Sequence, residues 1–339
     1  MIKKKVNIIA EVGLNHNGSV ALAKKIIKKL SKLDIDFIKF QLSNPDLLYS
    51  DDSFKAEYQK KNDKEKSVKS MSRKFQLKPK DHLTIAKYCK KVGKSYACTA
   101  FDTESLKFLL KNIDLPFIKI PSGEITSIDL IKLISKQNKP IILSTGMATI
   151  KEIRDCINLI TRKNKKKNIT IMHCVSSYPA EIRYLNINVI KKLKKVFKHP
   201  IGYSDHSLVD EACLAAVSLG ASIVEKHVTI DKSLSGPDHK MSYTIKQFEK
   251  LVKKIRDIEI ILGKDDKVFS KKEIEIRKMA RKSIVSKKNL IKGSKIQLQD
   301  LCFKRPGTGI SPMKVKNILG KKTRVNIIKN KIIKKEYLI

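Results

Sequence analysis

Two histidines stand at the ends of consecutive strand-like runs. Pro200–Ser204 leads into Asp205-His206-Ser207, and Ser222–Val224 leads into Glu225-Lys226-His227-Val228, with a turn at Gly236-Pro237-Asp238-His239 close behind. Imidazole is a good ligand for divalent cations, and two rings delivered from adjacent parallel strands suit a metal at the mouth of an α/β barrel. Two protein ligands leave several coordination positions open to water and substrate oxygens, as a catalytic metal requires. The alternative is a pair of core histidines satisfied by hydrogen bonds. What gathers at the other strand ends favours the metal.

Active sites of parallel barrels lie at the carboxyl ends of the strands, and polar residues concentrate there. The first run ends in Glu11 and Asn15-His16-Asn17-Gly18, the second carries Lys39 and Gln41, and the third ends in Thr99 and Asp102. The fourth brings Lys119, Ser122 and Glu124, the fifth Ser144-Thr145-Gly146, and the sixth Ser176-Ser177-Tyr178-Pro179. Residues two apart in a strand point the same way, so Lys39 goes with Gln41, and Lys226 goes with Val224, opposite to Glu225 and His227. A buried lysine is costly without an anion. Either Lys39, Lys119 and Lys226 pair with Glu11, Glu124 and Glu225, or the cluster receives a phosphate or carboxylate ligand.

Eight short runs rich in β-branched residues supply these ends: Val6–Ala10, Phe37–Gln41, Ser95–Thr99, Phe117–Ile120, Pro140–Ser144, Thr170–Cys174, Ile201–Ser204 and Ser222–His227. Between them lie stretches with apolar residues every three to four positions and lysines on the other face, such as Ala21-Ile26-Ile27-Leu30 and Ile150-Ile153-Ile157-Ile160. This alternation predicts a (β/α)8 TIM barrel over residues 1–263. Asn44–Lys80 is long, polar and charged, and is expected to be a partly helical excursion on the catalytic face. A charged linker follows at 264–281, and residues 282–339 alternate short apolar runs with turns, predicting a small β-rich domain.

The 339 residues, 41% hydrophobic, are enough for one large domain and one small one. The formal charge of +40 suggests nucleic acid, but only nine of the 73 basic residues are arginine, and the lysines are scattered. Arginine is the preferred residue for bidentate phosphate and base contacts, so a solvated lysine surface is the better reading and no nucleic-acid partner is expected. Six cysteines without a C-x-x-C pair read as reduced packing residues. Met1-Ile2-Lys3-Lys4-Lys5 looks like a basic leader, yet Asn7 and Glu11 interrupt the apolar run behind it, and no stretch is apolar enough to span a bilayer. A cytoplasmic protein without a membrane partner is expected.

The strings Ile9-Ala10-Glu11-Val12-Gly13-Leu14-Asn15-His16-Asn17-Gly18, Phe37-Ile38-Lys39-Phe40-Gln41, Ile118-Lys119-Ile120-Pro121-Ser122-Gly123-Glu124 and Leu143-Ser144-Thr145-Gly146-Met147 resemble the sialic acid synthase family. So do Gly202-Tyr203-Ser204-Asp205-His206-Ser207, Glu225-Lys226-His227-Val228-Thr229 and Gly236-Pro237-Asp238-His239. In the tail, Lys304-Arg305-Pro306-Gly307-Thr308-Gly309-Ile310 is similar to the antifreeze-like SAF domain that closes these enzymes. The resemblance implies a synthase that condenses phosphoenolpyruvate with an N-acetylated mannose-type sugar to a nine-carbon 2-keto acid, releasing phosphate.

On that resemblance, His206 and His227 would hold Mn²⁺ or Mg²⁺ and take part in catalysis. Lys39, Thr99, Lys119, Ser122, Ser144 and Ser204 would bind phosphoenolpyruvate. Asn17, Gln41, Tyr178, Asp238 and Arg305 would bind the sugar, and Glu124 would transfer a proton. Arg305 is expected to reach the neighbouring subunit's site, implying a domain-swapped homodimer. Asn17 stands where some members have glutamate, and Arg281-Lys282-Ser283 where two arginines are frequent. The Gly236–Ser242 string resembles the sialic and legionaminic branches more than the pseudaminic one, favouring N-acetylmannosamine or 2,4-diacetamido-2,4,6-trideoxymannose as acceptor. Two rival readings are a Schiff-base aldolase using Lys119 or Lys226, and a basic polyanion-binding protein with an inactive barrel. The first leaves the histidines without a role. Scattered lysines and the absence of Trp argue against the second.

Overall fold

A computed structural model describes residues 5–162 and 164–339; the basic Met1–Lys4 segment lies outside them. Eight parallel strands form the first unit: β1 (Asn7–Gly13), β2 (Phe37–Leu42), β3 (Ser95–Ala100), β4 (Ile118–Ile120), β5 (Ile141–Ser144), β6 (Ile169–Cys174), β7 (Ile201–Asp205) and β8 (Ile223–Thr229). Each pairs with the next and β1 also pairs with β8, which closes the sheet into the expected barrel. A two-residue strand, β9 (Tyr243–Thr244), extends from β8.

The helices between strands are dictated by caps and stripes. Ser19 accepts a hydrogen bond from Leu22 N and starts Val20–Leu30, which buries Ala23, Ile26, Ile27 and Leu30 and leaves its lysines outward. Thr149 and Glu152 form a capping box ahead of Ile150–Thr161, whose Ile153, Cys156, Ile157 and Ile160 are buried. Such faces pack on the outward strand residues, including Ile8, Ala10, Ile38, Phe40, Leu143 and Tyr203, in one continuous core. A separate apolar cluster of Ile9, Ala97, Phe117, Ile142, Met172 and Ile223 contains residues of the opposite strand parity. It fills the inside of the barrel and is the floor on which the polar cavity rests.

The excursion is helical in three short pieces, Pro45–Leu48, Glu57–Asn62 and Val68–Phe75. Lys55 staples it: the buried ammonium donates to Asp63 Oδ2 at 2.8 Å, Asp63 O at 2.8 Å and Glu65 O at 3.1 Å.

The chain divides at Gly263 into two compact units, residues 1–263 and 264–339. The second contains an exposed helix, Lys271–Ala280, in the charged stretch read as linker; Ser270 and Glu273 cap it. Its sheet is small: β10 (Ser283–Ser286) runs antiparallel to β11 (Leu301–Lys304), and single bridges such as Leu290↔Ile327 tie the turns. Ile284, Leu290, Ile296, Leu301, Ile310, Ile318, Ile327 and Ile333 form its core. Among the described residues no helix is long and apolar enough to cross a membrane.

Candidate active site

Register explains how the cavity is assembled. Glu11 is level with Lys39 on one side and His227 on the other, Gln41 with Thr99, Thr99 with Lys119, and Ser204 with Glu225. These inward side chains line a cavity of about 300 Å³ together with Ser122, Ser144, Cys174, Tyr178 and His206. A second hollow of about 210 Å³ shares Gln41, Tyr58, Tyr178 and His227 with the first, and adds Asp238 and, from the excursion, Tyr49, Met71 and Ser72.

The floor of the first cavity is a charge network. Lys39 Nζ lies 2.8 Å from Glu11 Oε2 and 3.7 Å from Glu225 Oε2, and Lys119 Nζ lies 3.0 Å from Glu225 Oε2. Lys39 also donates to Thr99 Oγ1 at 2.9 Å, Gln41 Nε2 to Glu11 Oε1 at 2.7 Å, and Ser204 Oγ to Glu225 Oε1 at 3.2 Å. Burial raises the Glu225 carboxyl, but Lys119 and Lys39 outweigh it and hold the group down at about 2. Glu11 is pushed up to about 7 because burial and the Glu225 charge outweigh Lys39. Burial lowers Lys119, with Glu225 opposing. Ser144 Oγ is buried without a partner. Two ammonium groups with nearby hydroxyls fit a small polyanion.

Above the network, the rings of His206 and His227 have centroids 5.6 Å apart at 55°. His206 Nδ1 donates to Val175 O at 2.7 Å, which fixes the ring; burial lowers its pKa, but Cys174 and that carbonyl outweigh it and raise it. His227 Nδ1 is buried without a partner, and burial and His206 lower its pKa, keeping the ring neutral. The separation, the anchored His206 ring and the orphaned His227 nitrogen fit a pair of ligands sharing one cation. Among the described residues no group of three or more His, Cys, Asp or Glu side chains converges on a metal position, so the remaining coordination would come from water and substrate.

Glycine permits two close approaches. Gly13, at φ +53°, would carry a Cβ 3.3 Å from Gln41 Nε2 and 3.4 Å from His227 Cε1; one at Gly146 would lie 2.2 Å from Ser176 Oγ.

Lys39, Gln41, Thr99, Lys119, Ser122, Ser144, Tyr178, Ser204, His206 and His227 therefore share the first cavity, and Asp238 joins the second. Asn17 lines neither: its side chain bonds Ser235 O at 2.9 Å and His239 Nε2 at 2.9 Å, holding the loop that carries Asp238. Glu124 also lies outside both linings, half-buried and accepting from Ser127, with burial raising its pKa. Arg305 is exposed in the second unit, just after β11. Lys226 corrects an expectation: it faces outward, pairs with Asp205 rather than Glu124 or Glu225, and does not line the cavity. That orientation removes it as a Schiff-base nucleophile. Glu11 and Glu225, expected only as partners of the lysines, line the cavity, Glu225 sharing the parity of His227; Cys174 and Tyr58 line it as well and are not among the expected site residues. Tyr58 had no local signal, since its place depends on the folding of the excursion.

Fold and cavity define a (β/α)8-barrel enzyme. The chain belongs to the NeuB family, whose profile matches residues 26–267, and an SAF domain matches residues 281–338. An N,N'-diacetyllegionaminic acid synthase from Campylobacter jejuni is 41% identical over 98% of this chain and 99% of its own length. One from Legionella pneumophila is 37% identical over 94% of this chain and 91% of its own. A crystal structure of the N-acetylneuraminic acid synthetase of Leptospira borgpetersenii, bound to citrate, matches with a TM-score of 0.72 and 33% identity, covering 81% of this chain and 92% of that one.

Proposed function

We propose that this chain is a nonulosonic acid synthase: phosphoenolpyruvate, an N-acetylated mannose-type sugar and water give a nine-carbon 2-keto acid and phosphate. The observation that carries the reading is the adjacency of the Lys39/Lys119 hydroxyl-lined cluster to the His206/His227 pair in one cavity. The preferred acceptor is 2,4-diacetamido-2,4,6-trideoxymannose and the product N,N'-diacetyllegionaminate, supported by the two legionaminic relatives and the Gly236–Ser242 string.

In this reading Lys39, Thr99, Lys119, Ser122, Ser144 and Ser204 hold the phosphate and carboxylate of phosphoenolpyruvate and stabilise charge as phosphate leaves. Gln41, Tyr178 and Asp238 orient the open-chain sugar in the adjoining hollow, and Asn17 supports them through the Asp238 loop. His206 and His227 hold Mn²⁺ or Mg²⁺. A divalent ion held there would supply Lewis acidity to the sugar aldehyde, the carbonyl that carbon 3 of phosphoenolpyruvate attacks. Water adds at carbon 2, and Glu124, its pKa raised by burial, is the proposed proton-transfer group, acting through water or after a local shift because it lies outside the cavity lining. Arg305 of one subunit reaches the acetamido group in its partner's barrel within a domain-swapped homodimer, and the enzyme works in the cytoplasm.

Phosphate release from phosphoenolpyruvate, measured with each candidate acceptor and followed by the product's mass, tests the reading. Release with the diacetamido sugar and a nine-carbon product are expected; no release with any mannose-type acceptor would refute it.

A further inference from the structure

Another buried ion pair lies on the outer face of the barrel, one residue before each histidine. Asp205 and Lys226 are register partners in β7 and β8, both buried, and the ammonium contacts Asp205 Oδ2 directly. It also donates to Ser207 O at 2.9 Å and lies 4.1 Å from the centroid of the Tyr243 ring. Asp205 Oδ1 accepts from Ser207 N at 2.9 Å and Tyr203 OH at 3.1 Å, and Oδ2 accepts from Cys213 Sγ at 3.2 Å.

Strand alternation turns the next residues inward. His206 is therefore flanked by Asp205 and Ser207, both tied to one ammonium, and that ammonium belongs to the residue before His227. An apolar pair of similar volume would fill the same space with no desolvation penalty. A charged pair with this many donors and acceptors fixes direction as well as separation.

We infer that Asp205 and Lys226 are positioning residues for the metal: the outer-face pair sets the spacing and tilt of the two imidazoles. The inference rests on the metal reading proposed above. Supports behind metal ligands typically change affinity about 10–100-fold when removed, whereas residues that only stabilise the barrel leave the affinity of the folded fraction unchanged.

The test is Mn²⁺ binding to the metal-stripped full chain, by calorimetry and by the electron paramagnetic resonance of the bound ion. Two variants are compared with wild type: Lys226→Gln, which keeps a donor without the charge, and the double variant Asp205→Asn with Lys226→Met, which removes both charges together. Circular dichroism reports folding, and phosphoenolpyruvate binding serves as the internal control. The expected result is a folded double variant that binds Mn²⁺ at least tenfold more weakly with an altered spectrum, a smaller loss in Lys226→Gln, and phosphoenolpyruvate affinity within twofold of wild type. Folded variants with wild-type Mn²⁺ affinity and spectrum would overturn the inference while leaving the metal reading intact. Equal loss of both ligands, or failure of both variants to fold, would also overturn it, since the pair would then hold the barrel generally. No saturable Mn²⁺ binding by wild type would remove the metal reading and this inference with it.

Discussion

Lys119 Nζ lies 3.0 Å from Glu225 Oε2 inside the barrel, with both side chains almost fully buried. Glu225 also has Lys39 at 3.7 Å, and Lys39 has Glu11 at 2.8 Å, so two ammonium groups lie against two acidic groups before any ligand arrives, Glu225 ionised and Glu11 titrating at about 7. The lysines are thereby held in position without an uncompensated buried charge. In the proposed reaction an incoming enol phosphate would compete with the acidic groups already seated on them.

Lys119→Met leaves Glu225 dependent on the more distant Lys39. We expect a stability loss of about 3 kcal/mol, the lower end for breaking a buried pair because one cation remains, and a KM for phosphoenolpyruvate raised at least about 30-fold, a loss of about 2 kcal/mol of binding. Adding Glu225→Gln should restore stability but not KM. Urea denaturation and steady-state kinetics read the two effects separately.

Glu11 gives a stability change with a definite sign. Its folded pKa is about 7 against an ordinary 4.5, so the folded state holds the proton more tightly. Its contribution is fully present below about 4.5 and is lost as the pH rises through 7, by up to about 3 kcal/mol. Glu11→Gln removes this titration. The stability of the variant relative to wild type should therefore increase between pH 4.5 and pH 8, as denaturant melts at fixed ionic strength would show; a constant difference would contradict the account.

The excursion should affect the sugar more than the enol phosphate, since Tyr58 borders both cavities while Tyr49, Met71 and Ser72 border only the second. Tyr58 packs against Tyr178 at 5.1 Å between ring centroids, and Asn62 Nδ2 donates to Pro237 O at 3.1 Å, next to Asp238. Tyr58→Ala, or Lys55→Met at the staple, is expected to raise KM for the acceptor about tenfold or more, corresponding to about 1.4 kcal/mol. KM for phosphoenolpyruvate should change by less than KM for the acceptor.

Much of this barrel could be read from local pattern because strand parity and helix stripes are local properties. All eight runs are strands, and the parity argument placed Lys39 with Gln41 and Glu225 with His227. The end of β1 was less accessible. Glu11 looks like a polar terminus, yet β1 continues to Gly13 because Lys39 and Gln41 satisfy its carboxylate. Lys226 was drawn into the lysine cluster since its true partner, Asp205, is a long-range neighbour on the other face. Tyr58 and the Lys55 staple depend on how an irregular segment folds over the barrel, which no periodicity encodes.

The proposed synthase requires one cation shared by His206 and His227 beside the lysine cluster. Phosphate release should be measured with metal-stripped protein, phosphoenolpyruvate and the diacetamido sugar, before and after Mn²⁺ is restored, alongside His206→Ala and His227→Ala. We expect no release from stripped wild type, recovery on adding Mn²⁺, and folded histidine variants that stay inactive at any Mn²⁺ concentration. Unchanged turnover in the stripped protein, or in either variant, would contradict that requirement.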